Sequence, residues 1–284
     1  MSTRQVADVN EIAQAGSVAG RVIGAVHGQW VAESSCGPND QRNQVGFRRM
    51  VFAEFAIRVG TRGVVRRADV ASGTAMIVLD ATGQNQIVVA NGANDTLIAA
   101  DVQAQRDLFA QSKAVVVQLE TPLPSVEATL RLARECRVPA ILNPAPFAPV
   151  GDALLHLCDW IIPNENESAK LSGTEVRDAP SAASAAVAIK LRSACPRVLL
   201  TLGANGVWLD TPEFTGHVPG FKVQAVDTVG AGDTFIGAFV ARLIEGAAFL
   251  MRGYFFSSAL IASSDTPCQM VMIPSVTGWS STTS

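Results

Sequence analysis

Apolar residues fall along this chain in short runs, separated by longer stretches in which they recur every three or four positions. From about residue 68 to 245 the alternation is regular. Thr74–Asp80 reads as a strand, Ala81–Asn85 as a turn and Gln86–Ala90 as a second strand, so the pair predicts a hairpin. Leu97–Ala110 has helical spacing. Ala114–Leu119 is a largely apolar run, as in a strand buried on both faces. Val126–Cys136 predicts an amphipathic helix, Pro139–Leu142 and Trp160–Ile162 predict buried strands, and the alanine-rich Ser181–Ser193 predicts another helix. Val198–Leu202 is a strand, and Gly206–Asp210 starts a hairpin with it. Strands alternating with helices predict an α/β fold: a doubly wound, mostly parallel sheet flanked by helices.

The ends of the chain read differently. Val6–Val26 has some helix-like spacing. Glu33–Arg49 is polar around a Gly37-Pro-Asn-Asp turn, and no buried strand is legible before Met50–Val59. After Gly246 an apolar helix gives way to Ser/Thr-rich sequence ending in Trp279–Ser284. The expected division is an N-terminal segment over 1–67 and an α/β domain over 68–284.

Composition narrows the function classes. Of 284 residues 48% are hydrophobic, enough for a sizeable core, while only 17% are charged and the net charge is −3. With no Lys/Arg run, a nucleic-acid face is not expected, and any bound phosphate must be held by backbone amides, a metal or a few local cations. The five cysteines are scattered without a CxxC pair, which predicts reduced thiols in a cytoplasmic protein rather than a disulfide frame or zinc site. No secretory core follows the first residues, and no apolar run approaches the roughly 20 residues that span a bilayer.

The chemically distinctive residues follow the strands, where open α/β sheets bind ligands. Gln118-Leu-Glu120-Thr-Pro, Asn143-Pro-Ala-Pro146, Pro163-Asn-Glu-Asn-Glu167 and Thr201-Leu-Gly203-Ala-Asn-Gly206 each trail a predicted strand. Downstream comes Asp227-Thr-Val-Gly-Ala-Gly-Asp-Thr-Phe235, where Gly230, Ala231 and Gly232 precede Asp233 and an apolar helical pattern, Phe235, Ala238, Phe239 and Leu243. Small residues at a helix start let N–H groups point at an anion. A carboxylate there is repelled by phosphate unless it takes a proton from an attacking hydroxyl; the plain alternative is a glycine turn with a capping Asp. Asn164 and Glu167, three residues apart, also fit a capping box. His27, His156 and His217 share no functional spacing and read as structural. Trp160 and Trp208 read as core.

In this order, L-E-T-P, N-P-A-P, P-N-E-x-E, T-L-G-x-x-G and D-T-x-G-A-G-D-T-F make the chain resemble the ribokinase-like (PfkB-type) sugar kinases over roughly 68–245. Within that family the N-P-A-P element is closer to ribokinases than to fructokinases or adenosine kinases. The resemblance implies ATP-dependent phosphorylation of the primary hydroxyl of D-ribose, with Asp233 as general base and Gly230, Ala231 and Gly232 as the anion hole. It further implies that Glu120 binds the sugar, and that Asn164, Thr201, Gly203, Gly206 and Gly232 line the nucleotide site. Glu167 would act on Mg²⁺ through water, and Asp227 and Val229 on a monovalent cation such as K⁺. Family members often pair through a β-lid, so a homodimer is the protein partner implied, and the hairpin near 74–90 corresponds to half of that lid. The N-x-D and G-G-K-G-A-N sugar-binding elements of the family have no counterpart in the first 65 or so residues, and Pro267 stands where the family usually has glycine. The other readings left open are another carbohydrate or nucleoside kinase of the family, and a catalytically impaired nucleotide-binding relative.

Overall fold

The protein is described by a computed structural model covering residues 22–24, 63–71, 73–79, 85–220, 222 and 230–244. Nine strands alternate with helices along these residues: β1 (Val22–Gly24), β2 (Thr74–Leu79), β3 (Asn85–Ala90), α1 (Ala99–Gln103), α2 (Arg106–Ala110), β4 (Ala114–Val117), α3 (Leu123–Glu135), β5 (Ala140–Leu142), α4 (Asp152–Leu155), β6 (Trp160–Ile161), α5 (Glu165–Ser172), α6 (Ala179–Ser193), β7 (Val198–Thr201), β8 (Val207–Asp210), β9 (Thr215–Val218) and α7 (Ala231–Ile244).

A seven-stranded sheet runs in the order β1-β4-β5-β6-β7-β8-β9. The pairs from β1 through β7 are parallel, and β7, β8 and β9 are antiparallel. The α/β sheet is therefore mostly parallel with an antiparallel extension, as the alternation of strands and helices predicts. β2 and β3 form a separate antiparallel pair, with Thr74 opposite Ala90 and Leu79 opposite Asn85.

The period of two along each strand divides the core between the two faces of the sheet. Val115, Val117, Leu142, Ile161, Val198 and Leu200 face α3 and α6, which contribute Val126, Leu130, Leu132, Ala185 and Ile189. Ala114, Ile141, Trp160, Leu199 and Leu209 face the other way, onto Ile236, Phe239 and Val240 of α7. The ring edge of Trp160 meets Phe239 at a centroid distance of 5.0 Å. Each helix takes its boundaries from local chemistry. Asp178 caps α6 by accepting from the Ser181 N–H, and Gly173 ends α5 in the left-handed region at φ 74°.

Two local readings change, and one strand lies where the sequence predicts none. The helix-like spacing of Val6–Val26 contains a strand instead: Val22–Gly24 pairs in parallel with Ala114–Val116. Three residues are too few to show a period of their own, and the pairing partner lies far along the chain. The single helix expected over Leu97–Ala110 is two, because the Gln105 N–H bonds Val102 rather than Asp101 and the ladder breaks there. The strand Thr215–Val218 carries no apolar alternation because it is the sheet's edge and alternates between exposed and half-buried positions. Met50–Val59, the apolar stretch after Gly246 and the Ser/Thr-rich tail lie outside the described residues. Among the described residues, no helix is long and apolar enough to cross a membrane.

Candidate active site

Because β4, β5, β6 and β7 are parallel, their carboxyl ends share one edge of the sheet. The turns that follow them meet the start of α7 in a cleft. Asn143, Ala145, Ile162, Asn164, Glu167 and Thr201 line it from the strand ends, and Gly230, Gly232, Asp233 and Ile236 from α7.

Gly230 makes the turn into α7. Its φ of 74° is a conformation that costs an L-residue, yet an added Cβ there would meet no described residue within 4 Å. Backbone conformation, and not lack of space, calls for glycine at this point. The Thr234 N–H bonds the Gly230 carbonyl at 2.9 Å and closes the first turn. As at any helix start, the earliest N–H groups have no intrahelical acceptor, and the helix dipole adds partial positive charge. Among the described residues lining the cleft there is no Lys, Arg or His, so the positive end of α7, where Gly230 and Gly232 line the cleft, is the positive charge that these residues offer.

Asp233 is the third residue of α7. Asp233 is exposed toward the cleft, with the packed protein dense around it. That crowding raises its carboxyl above the ordinary carboxylate range, while hydrogen bonding from Gln118 works in the opposite direction. Gln118 Nε2 lies 3.0 Å from Asp233 Oδ1 and 2.8 Å from Asn143 Oδ1, and Asn143 Nδ2 donates to the Ile162 carbonyl at 2.8 Å.

Asn164 and Glu167 form the capping box that their spacing allows. Asn164 Oδ1 accepts from the Glu167 N–H, while the Asn164 N–H and Nδ2 donate to Glu167 Oε2 and Oε1, each at 2.9 Å. Glu167 is buried, and this burial raises its carboxyl; the Asn164 bonds and Lys170 oppose the rise, and Asp233 adds to it.

The other residues singled out in the sequence are placed less uniformly. Thr201 lines the cleft, and its N–H bonds the Pro163 carbonyl at 2.9 Å. Gly203 and Gly206 sit in the turn beyond it and do not line the cleft. At Gly206 an added Cβ would lie 2.1 Å from the Val218 carbonyl oxygen, so the turn is pressed against the strap after β9. His217 bonds the Asn205 carbonyl at 2.7 Å, the structural role expected of it. Glu120, half-buried two residues beyond Gln118, does not line the cleft. Asp227 and Val229 lie outside the described residues, as does His27. Gln118 and Asn143 were not among the residues that the sequence singled out for roles. Their signal was a polar amide ending an apolar strand, at positions already quoted in two of the motifs.

Residues 56–250 match the sequence model of the pfkB family of carbohydrate kinases, and the chain belongs to that family. It is 38% identical over 202 residues to the ribokinase of Staphylococcus aureus, covering 70% of this chain and 65% of that one. It is 37% identical over 240 residues to the ribokinase of Haemophilus influenzae, covering 84% of this chain and 77% of that one. Among solved structures, a ribokinase from Giardia lamblia superposes with a TM-score of 0.66 at 25% identity, over 86% of this chain and 74% of its own. The chain thus spans about two thirds to three quarters of these relatives, and the alignment to the Haemophilus enzyme is longer than the 68–245 region that carries the motifs.

Proposed function

We propose that this protein is an ATP-dependent sugar kinase that transfers the γ-phosphoryl group to the primary hydroxyl of D-ribose, giving ribose 5-phosphate and ADP. The observation that carries the reading is Asp233, a carboxylate on the first turn of a helix whose starting residues Gly230 and Gly232 line the same cleft. The names of the two similar sequences support ribose as the sugar.

In this reading Asp233 accepts the proton of the attacking hydroxyl. The N–H groups at Gly230, Ala231 and Gly232 receive the charge that develops on the transferring phosphoryl oxygens. Asn164, Thr201, Gly203 and Gly206 border the nucleotide, and Glu120 holds sugar hydroxyls. Glu167 fits a role near Mg²⁺: the ionisable donors of the cleft are carboxylates, and each Glu167 oxygen accepts a bond from Asn164 while keeping further acceptor capacity. Mg²⁺ keeps much of its hydration, so contact through water suits it. When bound, the ion supplies charge neutralisation on the phosphates. Asp227 and Val229 are assigned to a monovalent cation such as K⁺ from the motif alone, and exchange of K⁺ for Na⁺ in the assay tests that assignment. The free thiols Cys136, Cys158 and Cys195 suit a reducing cytoplasm.

ADP release by the purified protein, with Mg-ATP and K⁺, with and without ribose, tests the function. Ribose-dependent turnover that Asp233→Asn abolishes is the expected result. Turnover with a different sugar or nucleoside assigns another activity of the family. ATP binding without turnover assigns the impaired relative, a reading favoured by the sugar motifs missing from the first 65 or so residues.

A further inference from the structure

We propose that Gln118 and Asn143 are positioning residues for Asp233: they form a hydrogen-bond chain of fixed polarity that ends on Asp233 Oδ1 and leaves Oδ2 to take the substrate's proton. The inference rests on the reading of Asp233 as general base. The chain starts at the backbone carbonyl of Ile162, which can only accept. Asn143 must therefore turn its Nδ2 toward it, at 2.8 Å, and its Oδ1 away. Asn143 Oδ1 lies 2.8 Å from Gln118 Nε2, so Gln118 must present its amino group, and the same nitrogen lies 3.0 Å from Asp233 Oδ1. Both hydrogens of the Gln118 amide are thereby used, one on each oxygen, and flipping either amide sets acceptor against acceptor.

Each link is anchored in rigid backbone. Asn143 follows β5, and its own N–H bonds the Val117 carbonyl at the end of β4. Gln118 directly follows β4. The Ile162 N–H in turn bonds the Leu142 carbonyl at 2.8 Å. Three strand ends thus fix the rotation of one side chain on a helix from the far end of the chain, which is the sub-ångström control that proton transfer rewards. A proton placed on Oδ1 would meet the Gln118 amino group, so the arrangement favours the carboxylate and directs the proton to Oδ2. Asp233 in turn adds to the rise of the Glu167 carboxyl on α5, since the two carboxylates repel. At Asp233 itself loss of solvent favours the protonated acid, and Gln118 opposes it.

The test compares Gln118→Glu, Gln118→Met and Asp233→Asn in the full chain. Gln118→Glu keeps the shape but removes the donor. It is expected to lower kcat for ribose-dependent ADP formation by about 30-fold or more, against about tenfold for Gln118→Met, from loss of a bond to a charged group. The KM for ATP should stay within about twofold, and the acid limb of the kcat–pH profile should move to higher pH. An unmoved acid limb, or equal losses in Glu and Met accompanied by a rise in ATP KM, overturns the proposal. Turnover that survives Asp233→Asn overturns the base reading instead. The hydrogen bond is then read directly from the Gln118 side-chain amide ¹⁵N–H signals, assigned by their loss in Gln118→Glu. Movement of those signals in Asp233→Ala supports the chain, and signals that stay in place overturn it.

Discussion

The side-chain amide of Gln118 lies 3.0 Å from Oδ1 of Asp233, although 115 residues of sequence separate them. One stands at the end of a buried strand and the other on the first turn of a helix, and the contact exists only once sheet and helix have packed together. The cleft is therefore a product of the tertiary fold rather than of any single motif.

Asp233→Asn should lower kcat by at least about 10²-fold, the usual size of a positioned general base. Binding of ATP, measured by calorimetry, should change little, because the backbone at the start of α7 is untouched. An equal loss in binding and turnover would assign Asp233 to ground-state binding.

Asp233 also ties stability to pH. Partial loss of solvent raises its carboxyl although the residue is exposed, so the folded protein holds this proton at pH values where the unfolded chain has lost it, an effect that solvent screening keeps small. The stabilisation is complete below the unfolded carboxylate range and is lost as pH rises through the folded value. Asp233→Asn should therefore raise the midpoint of thermal unfolding at neutral pH, and the gain should vanish in acid. A gain that is constant across pH would point to a cause other than this proton.

Two glycines should behave differently when changed to alanine. At Gly206, φ is 92° and the new Cβ would lie 2.1 Å from the Val218 oxygen and 2.4 Å from the Gly220 nitrogen, so the turn must move. We expect a loss of about 3 kcal/mol or more, as for other overpacked and strained sites. At Gly230 only the left-handed conformation is at stake, and the expected loss is about 1 kcal/mol. Chemical denaturation of both variants gives the comparison.

Two caps separate stability from binding. Asn164→Ala and Asp178→Ala each remove an N-cap and should each cost about 1 kcal/mol. Only Asn164 lines the cleft, so only Asn164→Ala should also weaken ATP binding. Equal ATP affinities would confine Asn164 to its cap.

The parts of the fold legible in the sequence were those whose signal is local. Ala114–Val117 and Val198–Thr201 are buried on both faces and read as apolar runs. Leu123–Glu135 shows its amphipathic period, with Val126, Leu130 and Ala133 buried and Glu127, Arg131 and Arg134 outward. Thr215–Val218 was missed because it stands at the edge, where nothing demands apolar residues. Val22–Gly24 was missed because its strand character depends on pairing with Ala114–Val116. At the site, the turn and carboxylate at 230–233 could be read because helix starts have a sequence signature. The link through Gln118 and Asn143 could not, because a glutamine at a strand end gives no sign of which distant acceptor it will meet.

Val22–Gly24 covers the outer side of β4. A chain trimmed to the family-matched 56–250 would lose this cover and open the side of Ala114–Val116 that faces away from β5, in one of the most apolar stretches of the protein. Exposed strand edges of that kind recruit other chains. The short N-terminal strand thus doubles as a guard on solubility, and precipitation of the trimmed protein would come from self-association along that edge rather than from any fault in the cleft.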